Sequence, residues 1–167
     1  MNSLKEGDSA PDFSGTDQNG NQIKLSDFSG KKLILYFYPK DDTPGCTKEA
    51  CNLRDNYQEL KNNDFEVIGV SADNSAKHLK FIDKYELPFS LIADTDKTVI
   101  NAYQCWGLKK FMGREYDGIL RKTFVIENNT IVKLFEKVKT ADHFQQIMEA
   151  LDSVSYTHLR AHETRIH

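Results

Sequence analysis

The sequence is short of several things, and each shortage excludes something. It has three cysteines in 167 residues. So few, and an odd number, do not make the disulfide scaffold of a small secreted domain. They also include no Cys-x₂-Cys pair of the kind that holds zinc or forms a thioredoxin-type dithiol. No apolar run approaches the roughly 20 residues a membrane-spanning helix needs. Basic charge is not in excess: 22 Lys and Arg face 25 Asp and Glu, a net charge of −3. Neither nucleic acid nor an anionic membrane is therefore expected as a main partner. The N-terminal stretch MNSLKEGDSAPDF has no apolar signal core and is not an Arg-rich, acid-poor transit segment, so a cytoplasmic address is expected, with free or cycling thiols. Internal repeats and low-complexity linkers are absent as well. What remains is the balance of an ordinary soluble domain, long enough to bury a core without staples.

The chemistry gathers in residues 36–55, YFYPKDDTPGCTKEACNLRD. An apolar strand ends at Pro39, a polar loop follows, and Thr43-Pro44-Gly45 opens a helix. Thr43 suits the N-cap, and Pro44 the first helical position, where its missing N–H costs nothing. Cys46 then lies in the first turn, among unpaired backbone N–H groups at the positive end of the helix dipole, which favours the reactive thiolate. Cys51 follows in a Cys-x₄-Cys spacing. At 3.6 residues per turn the two cysteines lie about 140° apart, with Cα atoms roughly 8–9 Å from each other. A disulfide needs less than about 7 Å, so the pair can bond only if the helix locally unwinds.

Taken in order, residues 4–12 read as an irregular entry. Residues 13–16 and 22–25 flank Asn19-Gly20 as a hairpin. Ser26–Gly30 has room for one helical turn. Leu33–Tyr38 is a continuous apolar run suited to a strand covered on both faces. The helix from Thr43 is expected to run to about Asn62, with Cys46, Ala50, Leu53, Tyr57 and Leu60 inward. Phe65–Ser71 is a second buried strand. An amphipathic helix over Ala76–Tyr85 turns Leu79, Ile82 and Tyr85 inward. Phe89–Ala93 is a short strand, and Asp94-Thr95-Asp96 caps a helix through Tyr103. Residues 105–118 read as the least regular stretch. Ile119–Ile126 and Ile131–Phe135 form strands around Asn128-Asn129. Thr140 caps a last helix bearing Phe144, Ile147, Met148 and Leu151. Strands alternating with helices and ending in an antiparallel hairpin predict an α/β architecture around a mixed sheet. The pattern covers residues 1–152; residues 153–167 have no periodic apolar face and read as a non-native or disordered tail.

Pro39, Thr43 and Cys46 reproduce the P-x-x-x-T-x-x-C signature of peroxiredoxins. The run YFYPKDDTPGCTKEAC resembles the subfamily called bacterioferritin comigratory protein or peroxiredoxin Q, and FMGREYDGILRKTFVIE resembles its later segment. The resemblance spans Leu4 to Leu151. It implies a thioredoxin-like α/β fold, with a central mixed β-sheet flanked by helices and an N-terminal β-hairpin. It also implies a thiol-dependent peroxidase that reduces hydrogen peroxide and organic hydroperoxides without cofactor or metal. Thioredoxin or a similar dithiol protein would recycle it. A monomer is expected, with a weak dimer as the alternative.

Residue by residue, the resemblance makes Cys46 the peroxidatic nucleophile, passing through a sulfenic acid, and Cys51 the resolving cysteine of an intramolecular disulfide. Thr43 would bind a peroxide oxygen, Arg121 would reach the thiolate and polarise the peroxide, and Pro39 would shape and shield the loop. The plainer alternatives are a buried structural cysteine at 46, a bystander at 51, a simple cap at Thr43 and a solvated arginine at 121. Asp41 and Asp42 are expected to face solvent, since an inward carboxylate would oppose the thiolate. Cys105 reads as an idle thiol, and His78 and His143 as non-catalytic. Trp106, Phe111 and Met112 fit either the mouth of the site or the core. The rival classes are a general disulfide oxidoreductase and a non-catalytic redox sensor or chaperone.

Overall fold

The computed structural model describes residues 3–151; the tail at residues 153–167 lies outside them. Five strands form the central sheet: β3 (Lys32–Phe37), β4 (Phe65–Ser71), β5 (Ser90–Ala93), β8 (Lys122–Glu127) and β9 (Thr130–Phe135), in the order β5-β4-β3-β8-β9. β3, β4 and β5 run parallel, while β8 and β9 are antiparallel. The strands β1 (Ser14–Thr16) and β2 (Gln22–Lys24) pair as a separate N-terminal hairpin. This is the mixed-sheet α/β architecture expected from the sequence.

β3 sits at the centre because both its faces are apolar. Its alternating side chains feed two cores. Leu33, Leu35 and Phe37 join Ile68, Val70, Ile92 and Phe124 on one face, beneath the hairpin and helix α4 (Thr98–Ala102). Ile34 and Tyr36, with Tyr38 just beyond the strand, join the other, beneath α1 (Pro44–Asp55), α2 (Tyr57–Asn62), α3 (Ser75–Tyr85) and α5 (residues 143–151). Gly69 is required under Tyr36: a Cβ there would lie 2.7 Å from Leu91 and 2.9 Å from the tyrosine ring. The strand thus delivers its C-terminal end, and the loop after it, to the foot of α1.

Several expectations need correction. The helix expected over 43–62 breaks at Asn56, whose amide Nδ2 donates to the Asn52 carbonyl at 2.8 Å and competes with the helical ladder. In α3 the buried residues are His78 and Phe81, whereas Leu79 is exposed. Residues 105–118 are regular: β6 (Trp106–Phe111) and β7 (Arg114–Ile119) pair antiparallel. Their turn, Met112-Gly113, has positive φ at both residues (51° and 79°), the geometry that suits a two-residue hairpin. Trp106, Phe111 and Met112 are exposed on this hairpin and not in the core. Thr140 lies inside a short 3₁₀ turn (Thr140–Asp142) whose N-cap is Lys139.

Candidate active site

The loop leaving β3 enters α1 through Thr43, in extended backbone (φ −97°, ψ 156°), and Pro44 in the helix's first turn. Thr43 holds the N-cap position, but its side chain makes no capping bond. Its hydroxyl donates instead to the Lys40 carbonyl at 2.8 Å. That fixes the hydroxyl proton and leaves the oxygen free to accept.

Cys46 lies in the first turn of α1, with 1% of its surface exposed. Arg121, in the two-residue link between β7 and β8, donates from Nη2 to Cys46 Sγ at 3.2 Å. A guanidinium N–H and the unpaired N–H groups of the helix start face the same sulfur. Arg121 also packs over Gly45: a Cβ there would stand 3.4 Å from Nη2, about van der Waals contact. The structure thus brings Arg121 onto Cys46 in the first helical turn that Thr43 opens, with half-buried Pro39 at the start of the same loop.

Sequence reasoning missed Glu49, which is fully buried one turn beyond Cys46. Its Oε1 takes Arg121 Nη1 at 2.6 Å, so the guanidinium bridges carboxylate and sulfur. Burial pushes the Glu49 carboxyl up to about 7, with the Arg121 charge pulling against it. The signal was available: residues 46, 49, 50 and 53 share one helix face, so a glutamate there interrupts an apolar stripe.

His143 of α5 closes this cluster, with Nε2 3.7 Å from Glu49 Oε2. The Thr123 hydroxyl lies 2.8 Å from Nε2, and Gln146 Oε1 is 2.9 Å from Nδ1. An amide oxygen only accepts, so the proton sits on Nδ1 and Nε2 accepts from Thr123, which is the neutral ring. Burial holds this histidine down at about 4. Lys109 on β6 also senses the site: partial burial keeps its ammonium below the usual range, the Arg121 charge adds to that, and the Cys46 sulfur opposes it.

Cys51 is half-buried in the same intact helix as Cys46, and its thiol is pushed up by desolvation. Cys105 is fully buried, lies 3.4 Å from the Tyr103 carbonyl, and is pushed up to about 12 by burial. Of the two aspartates expected in solvent, only Asp42 is there, held by Lys84 (2.7 Å) and Tyr85 (2.6 Å). Asp41 is buried. The Tyr38 hydroxyl donates to its Oδ1 at 2.5 Å, and His78 Nδ1 contacts its Oδ2 at 2.6 Å.

Comparison with known proteins places the chain in a family. Residues 7–135 match the model of the AhpC/TSA family. A putative peroxiredoxin Bcp of Haemophilus influenzae is 48% identical over 92% of this chain and 100% of its own length. Peroxiredoxin Bcp of Bacillus subtilis is 43% identical over 91% of this chain and 98% of its own. Among solved structures, a cysteine-to-serine mutant of the peroxiredoxin Q of Xylella fastidiosa superposes with a TM-score of 0.85 at 27% identity, covering 93% and 99% of the two chains. A Xanthomonas campestris bacterioferritin comigratory protein, described for its alkyl peroxide reduction activity, gives a TM-score of 0.80 at 30% identity over 91% and 98%. Among the described residues no helix is long and apolar enough to cross a membrane. The chain is a member of the AhpC/TSA family, a peroxiredoxin of the Bcp and peroxiredoxin Q kind with a thioredoxin-like fold.

Proposed function

We propose that this peroxidase reduces hydrogen peroxide and organic hydroperoxides through a Cys46 sulfenic acid. Cys51 resolves that acid, and thioredoxin or a similar dithiol reductant recycles the enzyme. The observation that carries the reading is the contact of Arg121 Nη2 with Cys46 Sγ at the start of α1.

The Cys46 thiolate attacks the hydroxyl-bearing oxygen of the peroxide. A sulfur–oxygen bond forms, the O–O bond breaks, and the departing oxygen leaves with the electron pair and takes a proton from solvent. Sulfur is oxidised by two electrons and the peroxide is reduced to an alcohol or water. Arg121 faces the charge that moves from sulfur to the departing oxygen. Thr43 Oγ1, its own proton committed to Lys40, accepts the hydrogen of the attacked oxygen and orients it. Pro39 shapes the loop that carries these groups. The sulfenic acid then condenses with the Cys51 thiol, releasing water and forming the Cys46–Cys51 disulfide. A dithiol reductant returns both thiols by exchange and itself becomes a disulfide.

Support for Cys51 over Cys105 comes from burial, since Cys105 is enclosed on the other side of the sheet. The test is steady-state peroxide consumption with thioredoxin, its reductase and NADPH. Continuous turnover is expected. A single stoichiometric oxidation with no turnover under any dithiol reductant would point to a sensor instead.

A further inference from the structure

The loop that carries Thr43 is held by a side chain the reaction scheme does not use. The peptide unit between Lys40 and Asp41 is trans, so its C=O and N–H point in opposite directions. The carbonyl accepts the Thr43 hydroxyl at 2.8 Å, and the N–H donates to Asp73 Oδ2 at 2.7 Å. Asp73 follows β4 and is itself fixed: Ser71 Oγ donates to Oδ2 at 3.2 Å, and Lys77 Nζ lies 3.9 Å from Oδ1.

The Asp41 side chain clamps the same peptide from another side, through Tyr38 of the β3 exit and His78 of α3. His78 Nε2 in turn donates to the Ile92 carbonyl of β5 at 2.9 Å, since a carbonyl can only accept. Asp41, Asp73 and His78 present donor atoms within 4.8 Å of one another. Both ring nitrogens and both Asp41 oxygens have hydrogen-bond partners, so the cluster is tied into one network around the peptide.

We propose that Asp73 is a positioning residue for the peroxidase reaction: it orients the Lys40–Asp41 peptide, and that peptide holds the Thr43 hydroxyl with its oxygen open to the peroxide. A carboxylate on the N–H end polarises the peptide, so its carbonyl becomes a stronger acceptor for the Thr43 proton. A rotated peptide plane would release that proton. Thr43 would then be free to donate where the reaction needs it to accept. This rests on the role given to Thr43 above.

The experiment is a double-mutant cycle on the rate of Cys46 oxidation by hydrogen peroxide, followed in single turnover. Asp73→Ala is expected to slow oxidation by about tenfold or more, because small misplacements at a reacting centre are costly. Asp73→Asn keeps an acceptor for the Asp41 N–H and is expected to recover most of the rate. In a Thr43→Val background, Asp73→Ala is expected to slow oxidation no further. Reduction of the disulfide by the dithiol reductant is expected to be unchanged, which general loosening of the fold would not predict. If Asp73→Ala does not fold, Asp73→Ser takes its place, its hydroxyl being too short to reach. A wild-type rate in the alanine variant, or an equal slowing in both backgrounds, overturns the assignment of Asp73 alone. A wild-type rate in Thr43→Val overturns the role of Thr43 itself, and the proposal with it.

Discussion

Arg121 Nη1 stands 2.6 Å from Glu49 Oε1, against a carboxylate with none of its surface exposed. The same guanidinium donates to Cys46, so the charge that supports the sulfur is anchored by a glutamate whose own ionisation is costly. His143, held neutral beside it, shifts in the opposite sense. The two effects have opposite signs in stability.

Glu49 titrates at about 7 in the fold against 4.5 when exposed. A raised carboxyl contributes stability that is fully present below 4.5 and lost as pH rises to about 7. His143 titrates at about 4 against 6.5. Its contribution is fully present above 6.5 and lost as pH falls to about 4. Over the overlap the two slopes largely cancel. Replacing Glu49 by Gln removes one of them. The stability of Glu49→Gln relative to wild type is therefore expected to rise from pH 4.5 to 7, by on the order of 3 kcal/mol. Urea unfolding at a series of pH values measures it. A flat difference across that range would mean Glu49 does not titrate there.

Cys46→Ser is expected to abolish peroxide consumption, since no other described thiol has a cation within hydrogen-bonding distance of its sulfur. Cys105→Ser is expected to leave most of it, given a thiol pushed up to about 12 and enclosed in the core. Near-normal turnover in the Cys46 variant would end its assignment as nucleophile.

Arg121→Ala removes charge and both hydrogen bonds at once, and is expected to slow the first oxidation step by about a hundredfold or more. Arg121→Lys keeps the charge, but one ammonium cannot reproduce the fork that spans Sγ and Glu49, so an intermediate loss is expected. Stopped-flow oxidation of the reduced enzyme distinguishes them. Equal and unimpaired rates in both would return Arg121 to a purely structural place.

The sequence made the sheet and the reactive thiol legible because both are written locally. Leu33–Tyr38 is a short, β-prone apolar run suited to a strand covered on both faces, and Thr43-Pro44-Gly45 marks the helix start that receives Cys46. Arg121 came from the family resemblance and not from any local pattern. What stayed hidden depends on distant partners. Nothing near Asp41 says that a histidine 37 residues later will bury it. In the helix expected over Ala76–Tyr85, Ile82 and Tyr85 pack against the core as expected, but Leu79 is exposed, and the positions buried beside them are His78 and Phe81. The β6–β7 hairpin was missed because its strands are heavily charged and its turn is Met-Gly, not the familiar Asn-Gly.

Motion must come between the two chemical steps. Peroxide must meet Cys46 in the folded helix, where Arg121 and the loop converge. The disulfide cannot form there, because α1 is continuous from Pro44 to Asp55 and helical geometry keeps residues five apart beyond bonding distance. The first turns must open. Gly45 makes that opening easier, as a poor helix former. Asn52 sets its limit, and this reverses what its low helix propensity alone suggests. Its Oδ1 accepts the Phe144 N–H at 2.6 Å and its Nδ2 donates to Gln145 at 3.1 Å, which ties α1 to the start of α5. Arg54 adds a second tether, donating to the Tyr85 carbonyl at 2.8 Å. The disulfide form is therefore expected to exchange its amide hydrogens faster from Gly45 to Cys51, with protection retained from Leu53 onward. Cys51→Ser is expected to keep the helix closed and let a sulfenic acid accumulate on Cys46. Asn52→Ala, by loosening the tether, is expected to speed disulfide formation while leaving the first oxidation step unchanged. Equal protection in the reduced and disulfide forms, with a mapped Cys46–Cys51 bond, would rule out the opening. A bond mapped from Cys46 to Cys105 or to a second subunit would remove Cys51 from the cycle.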